Sequence, residues 1–254
     1  MDGTSRQQAI VNILKEDNSV KILELSKRLK VTRETIRRDL YELEKKGLVK
    51  TVRGGAVLNA AVNETSYSIR LNQNRKVKAA IADEFAKRIE PGDIIYLDYG
   101  TTSLAVAKRL SRMKNITIVT NSIPIMNVLY KVPSIELVVL GGLVRHNEGS
   151  LSGRSAENIL NEININIGFI SGSGLTVKNG LSNHLPEEAS LTRQAIKQCQ
   201  QIAVGVDHEK FGNVFLNKIV AIKDIDVLIT DHLTDKNLVK ELKAQTNLVF
   251  TDPN

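Results

Sequence analysis

Apolar residues near the start of the chain recur at the spacing of three short amphipathic helices. The pattern predicts helices over 6–15 and 22–29, and a third helix that begins at Arg33. Each helix has one apolar face, so the three can pack around a shared core. The apolar positions are Ile10, Ile13 and Leu14, then Ile22, Leu25 and Leu29, then Ile36, Leu40 and Leu43.

The segment after the third helix has the pattern of a short β-hairpin. Gly47 fits the left-handed backbone position that commonly ends a helix, and residues 48–52 then alternate between apolar and polar side chains. A turn at Arg53-Gly54-Gly55 closes the hairpin. Three short helices followed by a hairpin predict a winged helix-turn-helix, whose third helix enters the major groove of DNA.

The third helix carries its own start signal and a polar face. Thr32 can cap the first amide groups with its hydroxyl, and Val31 can pack on Ile36 as a hydrophobic staple. An arginine pair on a helix usually marks only a solvated face, but the cap, the spacing and the wing together favour DNA recognition. Arginine suits that role because its planar guanidinium pairs with guanine or holds a phosphate. The predicted DNA contacts are Thr32, Arg33, Thr35, Arg37, Arg38 and Arg53.

Charge is distributed unevenly along the chain. Residues 1–56 hold 13 Lys and Arg against 8 Asp and Glu, a net charge of +5 out of the total of +7. A basic end favours a polyanion, because each neutralised phosphate releases counterions. The charge pattern therefore assigns double-stranded DNA to the N-terminal part of the chain.

From Arg75 onward the pattern changes to short apolar strands that alternate with amphipathic helices. Such an alternation is typical of a mainly parallel sheet covered by helices on both faces. We therefore predict a winged helix-turn-helix over 1–56, a polar linker over 57–74, and an α/β effector and oligomerisation domain over 75–254. Helices are predicted over 76–89, 102–112, 123–130, 187–199 and 236–243, and strands over 94–97, 116–119, 135–140, 168–170, 202–206, 227–229 and 248–250.

The predicted strands of the second domain end in short polar loops. Parallel sheets bind ligands at the carboxyl ends of their strands, so we expect these loops to converge on one small polar ligand. A plain turn or a solvated side chain explains each loop alone about as well, and the regular placement carries the prediction. The loops are Asp98-Tyr99-Gly100-Thr101-Thr102-Ser103, Thr120-Asn121-Ser122, Gly141-Gly142, Gly172-Ser173-Gly174 and Asp207-His208-Glu209-Lys210-Phe211-Gly212.

Composition narrows the class of protein. The chain has 254 residues, of which 42% are hydrophobic and 25% charged, as expected of a soluble protein with two domains. One cysteine, Cys199, excludes an intramolecular disulfide and is interpreted as a buried structural thiol in a helix. We find no leader segment and no apolar run long enough to span a membrane, and so expect a cytoplasmic protein.

No catalytic, metal or cofactor signature accompanies these patterns. The four histidines are dispersed, without the spacing of metal ligands, so no metal site is expected. The chain has no Walker loop, nucleophile elbow or dinucleotide fingerprint, and we predict neither a cofactor nor catalytic residues. The histidines are His146, His184, His208 and His232.

Over essentially its whole length the chain resembles the DeoR family of bacterial transcriptional regulators. The N-terminal matches are Thr35-Ile36-Arg37-Arg38-Asp39-Leu40, Leu43-Glu44, Gly47-Leu48 and Arg53-Gly54-Gly55-Ala56. The C-terminal matches are Asp98 with Gly100-Thr101-Thr102, then Thr120-Asn121-Ser122, Gly141-Gly142, Glu188-Ala189, and Asp207-His208 with Lys210-Phe211-Gly212.

The resemblance implies a repressor, usually of a sugar uptake or catabolism operon, that senses a phosphorylated sugar. Its α/β domain would resemble ribose-5-phosphate isomerase. The chain departs from the family pattern at Asn166, where aspartate is common, and at Tyr99, whose bulk is expected to narrow the pocket. The implied effector residues are Gly100, Thr101, Thr102, Asn121, Gly142 and Lys210, to which the loop pattern adds Asp98 and Gly141.

Two functions from different classes follow from these features. The first is a DNA-binding regulator, expected to be a homodimer or homotetramer on repeated half-sites and to leave its operator when a sugar phosphate binds. The second is a sugar-phosphate isomerase with an appended basic domain, which needs a carboxylate base and a cation beside the substrate. The groups nominally available for that chemistry are Asp98, Glu187, Glu188, Asp207 and Lys210.

Overall fold

The computed structural model describes residues 2–17, 19–45, 48–52, 54–58 and 67–251. The chain divides into two compact units, Met1–Ser66 and Tyr67–Asn254. The predicted helix end at Gly47 and the predicted DNA contact Arg53 lie outside the described residues.

The N-terminal unit is a winged helix-turn-helix, as predicted. Its elements are α1 (Gly3–Asp17), β1 (Ser19–Lys21), α2 (Ile22–Arg28), α3 (Arg33–Lys45), β2 (Val49–Val52) and β3 (Gly55–Leu58). The strands form an antiparallel sheet in the order β1-β3-β2. Strand β1 was not predicted, because three residues between two helices are too few to show an alternation. The backbone of β1 lies close to Gly55 of β3, since a Cβ on Gly55 would lie 2.3 Å from the carbonyl oxygen of Val20.

One apolar core joins the three helices to the wing. The buried residues include Ile10 and Leu14 of α1, Leu25 of α2, and Ile36 and Leu40 of α3. A partly buried ion pair joins two of these helices. The guanidinium of Arg6 donates to both carboxylate oxygens of Asp39, at 2.5 and 3.1 Å, and so fixes the position of α3 against α1.

The second unit is an α/β domain built on a seven-stranded sheet, confirming the predicted fold class. The sheet order is β15-β14-β12-β9-β4-β5-β6, and all six pairings are parallel. Its elements run α4 (Tyr67–Asn72), α5 (Arg75–Ala86), β4 (Ile94–Leu97), α6 (Thr101–Leu110), β5 (Ile116–Thr120), α7 (Ile123–Leu129) and β6 (Ile135–Val139), then β7 (Leu143–Arg145), β8 (Ser150–Ser152), α8 (Arg154–Asn161) and β9 (Ile165–Ile170), then β10 (Gly174–Thr176), β11 (Gly180–Asn183), α9 (Pro186–Gln198), β12 (Cys199–Gly205), β13 (Asn217–Val220), β14 (Val227–Asp231), α10 (Lys236–Lys243) and β15 (Asn247–Thr251).

The direction of winding reverses beside β4. From β4 the chain proceeds outward through β5 to β6, then returns to β9 on the other side of β4 and proceeds through β12 and β14 to β15. In open α/β sheets a crevice forms where the strand order reverses, outside the carboxyl ends of the strands. The reversal therefore predicts a ligand-binding crevice between the loops after β4 and β9.

The structure differs from the sequence-based expectation in the connector and at the cysteine. Residues 57 and 58 belong to β3, and residues 67–72, predicted as linker, form α4, whose Tyr67 and Leu71 pack on the core of the second unit. A helix of six residues is too short to show a hydrophobic period in the sequence. Cys199, predicted within a helix, begins β12 instead, and burial raises the pKa of its thiol to about 12. Among the described residues, no helix has the length and apolarity to cross a membrane.

Replacing Asp39 with alanine should destabilise the N-terminal unit, because the change removes the carboxylate to which the Arg6 guanidinium donates two hydrogen bonds. Hydrogen–deuterium exchange of peptides from α1 and α3 in the full chain measures this loss directly. Glu34→Ala is a matched control. Like Asp39, Glu34 is an acidic residue of α3 that pairs with an arginine, but both side chains of its pair with Arg37 are exposed to solvent. Exposed pairs contribute about 1 kcal/mol or less. Equal protection of α1 in the two variants would contradict the assigned role of Asp39.

Candidate functional site

The start of α3 is built as its sequence predicts. The Thr35 amide donates to the Thr32 hydroxyl at 3.2 Å, and the two hydroxyls lie 2.9 Å apart. Val31 packs on the core that contains the buried Ile36. The turn before α3 is closed by the Ser26 hydroxyl, which donates to the Val31 carbonyl at 2.6 Å. These contacts fix where α3 begins and which residues it presents to solvent.

The face of α3 opposite the core presents arginines. Arg33, Arg37 and Arg38 are exposed, whereas Thr35 is half-buried. Arg37 is paired with Glu34 at 3.0 Å. Within the described part of the chain, the side chains of Arg33 and Arg38 make no hydrogen bond or ion pair. Two unpaired guanidinium groups on one helix can therefore bind an anion without first breaking an internal contact.

A cleft lies in the second unit where the winding of the sheet reverses. Its volume, including the open mouth, is about 380 Å³. The cleft brings together Gly100, Thr101, Thr102 and Lys210 of the predicted effector residues. The other lining residues are Arg70, Lys78, Tyr99, Ser171, Gly172, Ser173 and Asn183. All of them come from the loops after β4, β9 and β12, the β11 strand end, or the helices α4 and α5.

Asp98 is placed beneath the cleft, where it organises the loops. Its carboxylate is 1% exposed and accepts from the Ser171 amide at 2.8 Å, the Gly100 amide at 3.2 Å and the Ser103 hydroxyl. Burial raises the pKa of Asp98, while these hydrogen bonds act in the opposite direction. The tight junction requires glycine at position 100, since a Cβ there would lie 2.1 Å from the Ser171 hydroxyl. Asp98 thus holds the wall of the cleft and does not line it.

Helix α6 presents its N-terminus to the cleft. Gly100 is the N-cap residue of the helix and has an extended backbone conformation. Because glycine has no side chain, it accepts no hydrogen bond from the first amides of the helix. The Thr101 and Thr102 side chains are buried in the cleft wall. Uncapped amides with the positive end of the helix dipole and two hydroxyls form an arrangement that binds phosphate.

Three cationic side chains converge on the same cleft. Lys210 lies in a short 3-10 turn after β12 and is half-buried, and its ammonium has no ion-pair or hydrogen-bond partner among the described residues. Lys78 of α5 is 5% exposed, and its ammonium donates to the Arg70 carbonyl and, at 2.9 Å, to the Gln73 carbonyl. Burial lowers the pKa of Lys78 to about 8. The third cation is the guanidinium of Arg70, from α4.

Besides Asp98, three of the predicted effector residues do not line this cleft. Asn121 is buried after β5, where it accepts from the Tyr96 hydroxyl at 3.2 Å and donates to the Leu151 carbonyl at 3.0 Å. Gly142 supports the β7–β8 hairpin: its φ is +132°, and a Cβ there would lie 2.3 Å from the Ser152 carbonyl oxygen. Gly141 precedes it with open space around its Cβ position. The structure gives Asn121 and Gly142 a role in packing the hairpin over the end of β5.

The two departures from the family pattern lie at opposite ends of the sheet. Tyr99 lines the cleft, as expected, and its hydroxyl accepts from the Asn183 amide at 2.9 Å. Asn166 lies near the amino end of β9, where its side-chain oxygen accepts from the Ile94 amide at 2.9 Å. Five residues of strand, about 16 Å, separate Asn166 from Ser171 at the cleft. The Asn166 departure therefore affects the far edge of the sheet and leaves the cleft unchanged.

Sequence reasoning missed Arg70, Lys78 and Ser171, whereas Ser173 lies in a loop that it expected beside the ligand. Arg70 was hidden in the stretch interpreted as a connector. The burial of Lys78 could have been predicted from the sequence. It shares helical spacing with Ile81, Ala82 and Phe85, and so lies on the buried face of α5. A lysine on a buried face needs polar partners, and the two carbonyl groups described above provide them.

Among the described residues that line the cleft, none is acidic. Glu188, considered above as a possible base, is 2% exposed and accepts from Arg145 at 2.9 Å and from the Ser150 hydroxyl at 2.5 Å. The carboxylate of Asp207 caps its own 3-10 turn by accepting from the Glu209 amide at 3.1 Å. Over the described ranges, no group of three His, Cys, Asp or Glu side chains could hold a metal ion.

Comparison with family models accounts for both units. Residues 6–62 match the DeoR-like helix-turn-helix domain, and residues 73–232 match the DeoR C-terminal sensor domain. Solved structures show a weaker similarity. Ribose 5-phosphate isomerase A from Methanocaldococcus jannaschii superposes on 55% of this chain and 55% of its own at 16% identity, with a TM-score of 0.42, which is too low to bear on function.

Proteins similar over almost their whole length are transcriptional regulators by name. The HTH-type transcriptional regulator GolR of Listeria innocua is 34% identical over 239 residues, covering 94% of this chain and 94% of its own. The uncharacterized HTH-type transcriptional regulator YulB of Bacillus subtilis is 36% identical, covering 98% and 96%. The glycerol-3-phosphate regulon repressor of Escherichia coli is 29% identical, covering 91% and 92%. With a sensor-domain match over most of its length, a helix-turn-helix match before it and relatives at this identity, the chain belongs to the DeoR family of transcriptional regulators.

Proposed function

We propose that this protein represses a sugar uptake or catabolism operon and leaves its operator when a phosphorylated sugar binds the cleft of the second unit. The observation that carries the proposal is the convergence of Lys210, Lys78 and Arg70 on the uncapped N-terminus of α6, at the point where the sheet reverses. Three cations line the cleft, one of them paired with Glu148 beside it, and the described lining includes no carboxylate, so the site favours an anion over a neutral sugar. One relative is named for the glycerol-3-phosphate regulon, and a phosphorylated effector agrees with that name.

For operator recognition we assign the unpaired Arg33 and Arg38 to base edges or phosphates in the major groove. Arg37 joins them once it exchanges Glu34 for a phosphate. Thr35 and Thr32 sit at the start of α3, the part of a recognition helix that approaches the bases. Arg53, which the sequence pattern predicts in the turn of the wing, is assigned to the phosphate backbone.

In the effector site, the amides and hydroxyls of Thr101 and Thr102 bind the phosphate oxygens, and Lys210 neutralises their charge. Gly100 keeps the backbone close enough for these contacts. Asp98 acts indirectly, by holding the loop that carries them. Asn121, Gly141 and Gly142 position the hairpin beside the site.

Release from DNA requires that the effector bind the DNA-incompetent state more tightly than the DNA-bound state, since only this difference shifts the equilibrium. A helix-turn-helix unit of this size usually works on repeated half-sites, so we propose a homodimer or homotetramer. A band-shift titration on DNA upstream of the protein's own and neighbouring genes, at fixed salt and with a panel of sugar phosphates, tests both halves. A complex that no sugar phosphate dissolves would leave the DNA function and refute the effector.

The isomerase alternative lacks chemical support. An aldose–ketose isomerase needs a carboxylate base beside the substrate carbonyl. The carboxylates of Asp98, Glu188 and Asp207 are each engaged in the internal hydrogen bonds described above, and the cleft wall contains none. The named relatives are regulators.

Replacing Arg38 with alanine should weaken operator binding about 10- to 100-fold, because one good guanidinium contact to a base is worth about 1 to 3 kcal/mol. Band shifts at fixed salt measure the operator affinity, and calorimetry measures effector binding, which should not change. Lys114→Ala removes an exposed positive charge from the other unit and serves as the control. A parallel loss of operator and effector binding would show that Arg38 supports folding instead.

Replacing Lys210 with alanine should abolish the response to sugar phosphate while operator affinity stays the same, because the cleft loses an unpaired cation. Band shifts with increasing concentrations of sugar phosphate measure this loss, because the complex of the variant with operator DNA should persist. Lys223→Ala is the matched control, since Lys223 is an exposed lysine in another 3-10 turn of the same unit. Normal release by the Lys210 variant would place the phosphate elsewhere.

Effector affinity should fall about tenfold between about pH 7 and about pH 9.5, because the Lys78 ammonium has a pKa of about 8 and loses its charge as the pH rises. The charged groups that act on Lys78 are Asp207, Lys210, Arg70 and Glu209. Calorimetry over this range measures the change. The Lys78→Gln variant should bind more weakly with little pH dependence, and an unchanged slope in that variant would assign the titration to another group.

A further inference from the structure

A buried ion pair stands beside the cleft. Arg70 donates from its guanidinium to the carboxylate of Glu148, and the side chains of the two residues are 15% and 2% exposed. Arg70 comes from α4, and Glu148 from the turn that joins β7 to β8. The guanidinium of Arg70 therefore has two neighbours at once: the carboxylate on one side and the cleft on the other.

The position of Glu148 is fixed by the hairpin that carries it. The Glu148 amide donates to the Arg145 carbonyl at 3.2 Å, and the Arg145 side chain is held by Glu188 at 2.9 Å. On the other strand, the Ser150 hydroxyl donates to Glu188 at 2.5 Å. Because both strands are anchored to the buried Glu188, the Glu148 carboxylate cannot simply move with Arg70 into the cleft.

A further donor lies close to this pair. The ring of Tyr67, one turn before Arg70 on α4, faces the Arg70 guanidinium at 5.8 Å from its centroid. Its buried hydroxyl has no hydrogen-bond partner among the described residues. Burial and the charge of Glu148 raise the pKa of this hydroxyl to about 12, so it stays a donor at neutral pH. Tyr67 can thus offer Glu148 a hydrogen bond when Arg70 turns away.

We propose that Glu148 competes with the effector phosphate for Arg70, and that the strength of the Arg70–Glu148 pair sets the effector concentration to which the protein responds. When the cleft holds no phosphate, the Arg70 guanidinium donates to Glu148. When a phosphate binds beside Thr101 and Lys210, the guanidinium turns to the phosphate, and the Tyr67 hydroxyl donates to the carboxylate. This inference rests on the proposed function, because it assigns a residue that tunes the proposed anion site.

The size of the effect follows from the populations. The apparent dissociation constant equals the intrinsic constant divided by the fraction of molecules in which Arg70 is available. If Glu148 holds Arg70 in about nine molecules of ten, removing its charge strengthens phosphate binding about tenfold. A carboxylate that served only to stabilise α4 would give the opposite sign, since a loosened Arg70 would bind the anion more weakly.

The experiment is calorimetric titration of inorganic phosphate into the full chain at about pH 7. Glu148→Gln preserves the shape of the side chain and removes its charge, and we expect phosphate to bind about tenfold more tightly than to the unmodified protein. Glu84→Gln is the matched control, because it removes the charge of a partly buried glutamate that also pairs with an arginine, on α5 and away from the cleft. It should leave phosphate affinity unchanged.

The outcomes separate this inference from the proposed function. If the unmodified protein binds phosphate and Lys210→Ala loses it, but Glu148→Gln binds equally or more weakly, the competition is refuted while the proposed site stands. If neither the unmodified protein nor any variant binds phosphate, the anion site itself fails, and the inference fails with it. An equal gain in both glutamine variants would attribute the effect to net charge and refute the specific role of Glu148.

A second variant covers the case in which Glu148→Gln does not fold, as judged by circular dichroism. Glu148→Asp keeps the charge but withdraws the carboxylate by one methylene from Arg70. It should weaken the pair partly and raise phosphate affinity by about threefold. An affinity equal to or lower than that of the unmodified protein would refute the proposal.

Discussion

The effector unit depends on a buried carboxylate at the junction of its two central strands. Asp98 at the end of β4 accepts hydrogen bonds from the Ser171 amide and hydroxyl after β9, and from Gly100 and Ser103 at the start of α6. An unpaired buried charge would cost several kcal/mol, so the four groups must stay in place around it. This arrangement draws the two loops together where the winding reverses. It also leaves the first amides of α6 directed to the cleft.

Positive charge then determines what this cleft can bind. Among the described residues, the Lys210 ammonium has no partner and the Lys78 ammonium donates only to carbonyl oxygens, so neither charge is neutralised by a carboxylate. Arg70 already has the carboxylate of Glu148. The three cations therefore differ in the contact that each would have to break before it could bind an anion. In such a graded set, one neighbouring side chain can change the availability of a single cation without altering the other two.

Particular residues show how far the sequence could predict the site. The Gly100 and Thr101 loop was recognised because a strand, a glycine and hydroxyls at a helix start are adjacent in the sequence. Asn121 and Asp98 were recognised as polar strand ends, but their side chains turn inward to satisfy backbone groups. Which way a polar side chain turns depends on donors that lie far away in the sequence, such as the Ser171 amide, 73 residues from Asp98.

The sequence by itself determined the winged helix-turn-helix, the parallel α/β domain and the family, because helix and strand periods, caps and glycine turns are local signals. The exposed face of α3 followed from the same local period. Only the tertiary structure decided that Arg70 and Lys78 join Lys210 at one cleft, and that Glu148 lies against Arg70, 78 residues earlier in the chain. These contacts cross the domain, and they form because the reversal of the sheet brings separate loops to one edge. No periodicity records such contacts.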